Sequence, residues 1–158
     1  MPDSVQRFLF ERTPVRGEIV HLEAAWQAVI ERQDYPPALR DLLGQMMAAA
    51  ALLAATIKFE GSLIMQMHGS GPVSLLVVEC ENGRNLRATA KWRGAPTPGA
   101  LPALLGQGRF AITLAAGPGK QSYQGIVDLE GESVAAVLEH YLRRDRKSTR
   151  LNSSHSSV

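Results

Sequence analysis

The stretch that decides the fold is Leu42-Leu43-Gly44-Gln45-Met46-Met47-Ala48-Ala49-Ala50-Ala51-Leu52-Leu53-Ala54-Ala55-Thr56-Ile57. It is apolar nearly all round, so a helix built from it has no polar face to turn to water and must be covered from several sides. Pro37 opens it well, because the N–H that proline lacks has no partner in a first helical turn. Its four consecutive alanines let neighbouring backbones approach closely. The reading is a central helix enclosed by sheet and by other helices or a partner subunit. The apolar run falls short of the ~18–20 residues of a membrane span and is flanked by Asp41 and Lys58, which speaks against insertion.

Outward from this helix the period changes. Upstream, Val5 to Val15 alternates loosely and stops at Pro14, as an N-terminal strand does. From Ile19, the residues Leu22, Ala25, Trp26, Val29 and Ile30 recur at three-and-four spacing, which predicts a first helix ending before Asp34-Tyr35-Pro36-Pro37. Downstream, Leu63 to Met67 and Val73 to Glu79 read as strands joined at His68-Gly69-Ser70-Gly71-Pro72. The unbroken run Leu75 to Val78 suggests a strand covered on both faces. Asn82-Gly83 signals a two-residue hairpin into Asn85 to Trp92. Gly94 to Pro102 is a loop. Arg109 to Ala115 and Ser122 to Leu129 pair across Gly117-Pro118-Gly119-Lys120. Val134, Val137, Leu138, Tyr141 and Leu142 form a last amphipathic helix, with Ser133 or Glu132 at its N-cap. Hairpin-joined strands with segregated helices give an α+β fold.

The 158 residues are 45% apolar and 20% charged, the composition of one ordinary globular domain. The net charge of +2 is unevenly placed: residues 1–142 hold 12 basic and 14 acidic residues, and 143–158 hold five basic and one acidic. The last stretch, with five serines and two apolar residues, cannot bury enough surface to offset its ordering entropy, and reads as a disordered or artefactual tail. A slightly acidic body argues against nucleic acid. Its densest basic stretch, Arg84, Arg87, Lys91 and Arg93, is read as a solvated sheet face in preference to a polyanion site.

No catalytic constellation emerges. His21, His68, His140 and His155 share no metal-ligand spacing. Ser70 lacks the full nucleophile elbow. Cys80, the single cysteine, ends a strand between Glu79 and Glu81, whose charges disfavour a thiolate. It can form no internal disulfide, and a free thiol suits a reducing cytoplasm. Gly106-Gln107-Gly108 and Gly117-Pro118-Gly119 read as turns, and Glu130 and Glu132 as helix-capping charges. Met46, Met47, Met65 and Met67 suit either a core or an adaptable binding surface, the core being preferred. These residues describe a binding domain and not an enzyme: no catalytic, cofactor-binding or metal residue is assigned.

Several segments, in order, resemble the N-terminal domain of the heat shock protein 33 family of redox-regulated chaperones. They are Phe8-Leu9-Phe10-Glu11, Val15-Arg16-Gly17-Glu18, Asp34-Tyr35-Pro36, Leu52 to Gly61, Gly69-Ser70-Gly71-Pro72, Tyr123-Gln124-Gly125-Ile126-Val127, Leu129-Glu130-Gly131, and Ala135 to Glu139 with Tyr141. The resemblance spans about residues 5–143. It implies a three-layer β/β/α domain of antiparallel strands with a buried helix, taken as residues 1–142. It implies an ATP-independent cytoplasmic holdase that binds unfolding client proteins, protects them from aggregation and forms a homodimer. In the family a C-terminal zinc module with Cys-x-Cys and Cys-x-x-Cys pairs supplies the redox switch. Those cysteines are absent from this sequence, so the zinc site and the switch are not carried over. The alternative reading is an RNA- or ribosome-associated binding module.

Overall fold

In the computed structural model, which describes residues 3–57, 60–117, 119 and 121–155, the chain begins with two strands, β1 (Ser4–Leu9) and β2 (Arg16–His21). Two helices follow, α1 (Ala24–Arg32) and α2 (Pro37–Ile57), and then three strands, β3 (Ser62–Gly69), β4 (Val73–Glu81) and β5 (Asn85–Trp92). A short helix α3 (Leu101–Leu105), the strands β6 (Gly108–Ala115) and β7 (Tyr123–Asp128), and the helix α4 (Val134–His155) complete the order. Strands β3 to β7 make one antiparallel sheet in the order β5-β4-β3-β6-β7, and β1 with β2 makes a separate antiparallel pair. The expected α+β layers are therefore present: a large sheet, a small sheet, and helices, with α2 in contact with both sheets.

The all-apolar helix is buried for the reason its sequence gives. Leu39, Leu43, Met46 and Ala50 are fully enclosed, and α2 packs on β3, β4 and β5 on one side and on β2 and β1 on the other. At 21 residues it is by length and composition able to cross a membrane, but half of its most apolar window is buried inside the fold. On the large sheet, period two sends Leu63, Met65 and Met67 inward beside Leu76, Val78 and Cys80 and beside Phe110 and Ile112. All four core methionines (46, 47, 65 and 67) are buried, so they fill the core and offer no adaptable surface.

The last helix is fastened at two places. Ser133 Oγ accepts the Ala136 N–H at 3.1 Å, which makes Ser133 the N-cap. Tyr141 stands edge-on to Phe110 with ring centroids 5.6 Å apart, and its hydroxyl meets that of Tyr123 at 3.2 Å. Gly125 leaves room for this pair, since a Cβ there would lie 2.1 Å from the Tyr141 hydroxyl.

Several expectations need correction. The segment Val5 to Val15 is not one strand, and Ile19 does not begin a helix: the chain turns after Leu9 and returns as β2, with Phe8 opposite Gly17 and Val5 opposite Val20. The Ile19–Leu22 spacing fits a helix, but pairing with β1 satisfies the backbone of residues 16–21 instead. The turn after β4 has three residues, because Asn85 pairs with Glu81; Asn82 and Gly83 both take positive φ, 52° and 68°. The loop Gly94 to Pro102 runs into the unforeseen α3, whose buried Leu101, Leu104 and Leu105 dock it on the core. Strand β4 is enclosed on one face only, with Leu76 and Val78 buried and Leu75 and Val77 half-buried on the other. After Leu142 the backbone continues α4 as far as His155, where composition predicts a disordered tail. A helix already nucleated by packing adds each further residue cheaply, and the Arg143–Glu139 pair at 2.6 Å, one turn apart, supports the extension. Residues 156–158, and the Lys58, Phe59, Pro118 and Lys120 positions of two expected turns, lie outside the described residues.

Candidate functional site

The small sheet is held to α2 by polar groups. Arg7 lies 3.0 Å from Glu18 across the strand pair and donates to the carbonyl of Ala55 near the end of α2. Glu18 in turn accepts from the Thr56 hydroxyl at 2.6 Å. Farther along, Asp3 caps α1 from outside: one carboxylate oxygen accepts the N–H groups of Glu23 and Ala24 at 2.6 and 2.8 Å, and the other that of Ala25 at 2.9 Å. Burial disfavours the Asp3 charge, but these three donors and the neighbouring His21 outweigh it and hold the carboxyl below its usual range.

Because polar clamps do the holding, the apolar side chains of the hairpin are left in solvent. Leu9 is 77% exposed, Ile19 58%, Phe10 55% and Phe8 40%. Alternation puts Arg7 and Glu18 on the face toward α2, and Phe8 and Ile19 on the opposite face. The Phe8 and Phe10 rings meet edge to face at 5.8 Å.

Beside the hairpin runs an apolar groove of about 650 Å³ between α2 and α4. Ala48, Ala49, Leu52 and Leu53 form one wall, and Leu138 and Leu142 the other. Thr56 and Ile57 close its end, so the residue clasped by Glu18 also lines the groove. At the C-terminal end of α2 the hairpin meets the groove with its polar face, through Glu18 on Thr56, while Phe8 and Ile19 point the other way. Scattered apolar residues are ordinary on a protein surface, but a groove lined chiefly by apolar side chains is the mark of an interaction site.

The residues weighed for chemistry are dispersed. His21 lies 3.8 Å from Glu23, His140 lies 3.5 Å from Glu130, and His68 contacts Gln66 at 3.2 Å. Glu130 thus faces His140, with no pairing to Glu132 among the described contacts. The side chain of His155 lies outside the described residues. Cys80 is buried, and burial pushes its thiol pKa up against a small opposing effect of the Gly83 N–H. Among the described residues no three His, Cys, Asp or Glu side chains gather in one place. Ser70 sits in the turn after β3, with its Oγ accepting the Gln107 N–H at 3.1 Å. That turn is packed against α3, since a Cβ on Gly69 or Gly71 would lie 2.3 or 2.7 Å from the carbonyl oxygens of Leu105 and Leu104. Arg87 and Lys91 project from the outer face of β5, Arg87 reaching Glu81 at 3.9 Å, while Arg84 lies in the turn before the strand. The apolar hairpin was not foreseen as a site. Its signal is the density of Phe8, Leu9, Phe10 and Val15 in a segment too short to enclose them.

Comparison with known proteins adds the relationship. The chain is 53% identical over 147 residues to the 33 kDa chaperonin of Chromobacterium violaceum, and 48% identical over 146 residues to that of Methylobacillus flagellatus. Each match covers 92% of this chain and 50% of the relative, so the chain spans about half the length of these curated relatives. The crystal structure of the 33 kDa chaperonin of Thermotoga maritima superimposes with a TM-score of 0.72 at 18% identity, over 87% of this chain and 49% of that one, which shows a shared fold. Residues 3–153 match the family described as Hsp33 protein, ten residues beyond the resemblance visible in the sequence. The chain belongs to the Hsp33 protein family.

Proposed function

We propose that the chain is an ATP-independent holdase domain, corresponding to residues 1–142, that binds unfolding client proteins and keeps them from aggregating. One observation carries this reading: the described residues leave two apolar surfaces in solvent, the hairpin side chains Phe8, Leu9, Phe10 and Ile19 and the groove between α2 and α4. An unfolding client exposes apolar segments of many sequences. Covering them needs area and little geometric specificity, at about 2.5 kcal/mol per 100 Å² of apolar surface removed from water. The ordering and association costs leave only part of that as affinity, which suits reversible holding. The name carried by the relatives, 33 kDa chaperonin, supports the same reading.

Redox control is a separate matter. The chain's only cysteine is buried with its thiol held protonated, so client binding by this chain is the same under reductant and oxidant. We further propose action in the cytoplasm and assembly as a homodimer. The test is light scattering of a chemically denatured client diluted into buffer containing the chain, with reductant and then with oxidant. Suppression of aggregation in both supports an uncontrolled holdase. Suppression only with oxidant overturns the second statement, and none in either overturns the first.

A further inference from the structure

A second surface, at the opposite edge of the large sheet from β7, has a chemistry that client capture does not use. The turn between β3 and β4 and the end of β5 enclose a hollow of about 250 Å³, lined by Ser70, Ser74, Lys91, Trp92 and Arg93 with Gly69 and Gly71. Period two puts Lys91 and Arg93 on the same side of the chain, with Trp92 turned the other way onto Tyr35, ring centroids 5.4 Å apart. The Arg93 N–H donates to the carbonyl of Pro72 at 3.0 Å, which ties the end of β5 to the turn. Strand β4 bulges at Ser74, since Val73 pairs with Trp92 and Leu75 with Lys91. The Ser74 hydroxyl reaches the Lys91 carbonyl at 3.3 Å.

The charge of this hollow is unbalanced. Its lining contains two cations and no carboxylate. Among the described residues neither Lys91 nor Arg93 has an ion-pair partner, as is also true of Arg84 and Arg109, so the hollow's two charges are not matched from within its lining. The nearest acid of the adjoining hollow, Asp128, shares its wall with Arg109, which stands opposite it on β6. Ser70 lies between the two hollows, and because its oxygen accepts from Gln107, its hydroxyl proton is left to donate. The two glycines owe their identity to packing against α3, so they are not counted toward the site.

We propose that this hollow binds a compact oxyanion of the phosphate class, with Lys91 and Arg93 supplying charge and the Ser70 hydroxyl a directed hydrogen bond. Arginine offers a paired N–H fork to such an anion and lysine a point charge. The size of the hollow suits one or two phosphoryl groups better than an extended polymer.

Trp92 provides the readout. Inorganic phosphate and pyrophosphate are titrated into the 158-residue chain at low ionic strength, following tryptophan fluorescence, with chloride at matched ionic strength as the reference. A saturable change is expected with pyrophosphate and not with chloride, weakened at least tenfold in K91Q/R93Q and severalfold in S70A. The charge-conserving K91R/R93K double variant retains binding within about threefold. Far-UV circular dichroism and Tm show that these exposed substitutions leave the fold intact. No saturable change, or equal binding by K91Q/R93Q, overturns the site. A single-stranded oligonucleotide that binds more tightly per phosphate and loses affinity on Arg84→Gln or Arg87→Gln also overturns it, in favour of a broad electrostatic surface.

Discussion

The five-stranded sheet hides Met65, Met67, Leu76, Val78 and Phe110 completely, whereas the two-stranded sheet leaves Phe8, Leu9, Phe10 and Ile19 in solvent. Both sheets pack on α2, so proximity to the same buried helix does not explain the difference. The large sheet presents an inward face drawn chiefly from β3, β4 and β6, enough apolar area to hold itself in place. The hairpin is too narrow for that. It is fastened by Arg7, Glu18 and Thr56 at one end and by Asp3 at the other, and its apolar side chains stay available. A domain that must keep apolar surface exposed without unravelling needs this division between what holds and what is offered.

The comparison can be broken most forcefully in the core. Phe110→Ala removes a fully buried ring that also carries the edge contact to Tyr141, and should cost about 3–5 kcal/mol in denaturant unfolding. A loss below about 1 kcal/mol would show that the large sheet is not held by its packed face. Next in size is Gly125→Ala, whose Cβ would collide with the two tyrosine hydroxyls. About 1–3 kcal/mol is expected, with faster hydrogen exchange concentrated in α4.

Glu18→Ala sharpens the other half of the comparison. It should cost about 1 kcal/mol or less, with faster exchange of the β1 and β2 amides and little change in the Tm of the rest. A global Tm loss as large as that of Phe110→Ala would mean that the hairpin is not a separate unit. Asp3 gives the pH-dependent version. Its folded pKa is depressed, so its contribution is fully present above the unfolded value of about 3.9 and is lost as pH falls through the lower folded value. Protection of the Glu23 to Ala25 amides, measured against their intrinsic exchange rate at each pH, should therefore fall on acidification below about pH 4, and that fall should be absent in Asp3→Asn.

The smallest effect on global stability belongs to the triple change Phe8→Ser, Phe10→Ser and Ile19→Ser, about 1 kcal/mol or less, because these side chains are already 40–58% exposed and lose only contacts within the hairpin. The same variant should lose most of its suppression of client aggregation in the light-scattering assay. Full suppression would move client capture to the groove alone.

Much of this was legible in the residues. The apolar run of α2 announced a buried helix, and the alternation and turn residues from Leu63 to Leu129 announced an antiparallel sheet, because each pattern repeats often enough to exclude the other period. The hairpin was misread because β2 is only six residues long, and Ile19 falls at a spacing from Leu22 that serves a helix equally well. Helix α3 was missed because one turn of helix has no period to display; only its docking onto the core specifies it. The candidate surface was hidden for a related reason. Exposed phenylalanines in a sequence look like core residues until the structure shows how much of them the described chain leaves in solvent.

The close approach of the Gly69-Ser70-Gly71 turn to α3 also bears on how such a chain can drift over evolution. A five-residue helix with a proline in its first turn is held here by contact of main chain with main chain, a contact that any β-carbon at residue 69 or 71 would wedge apart. Lineages sharing this fold can repaint the solvent side of α3 freely, exchanging Ala103 at little cost. At the two glycines they inherit an atom-sized gap that selection must leave empty, which makes those positions a steadier mark of descent than the helix they support.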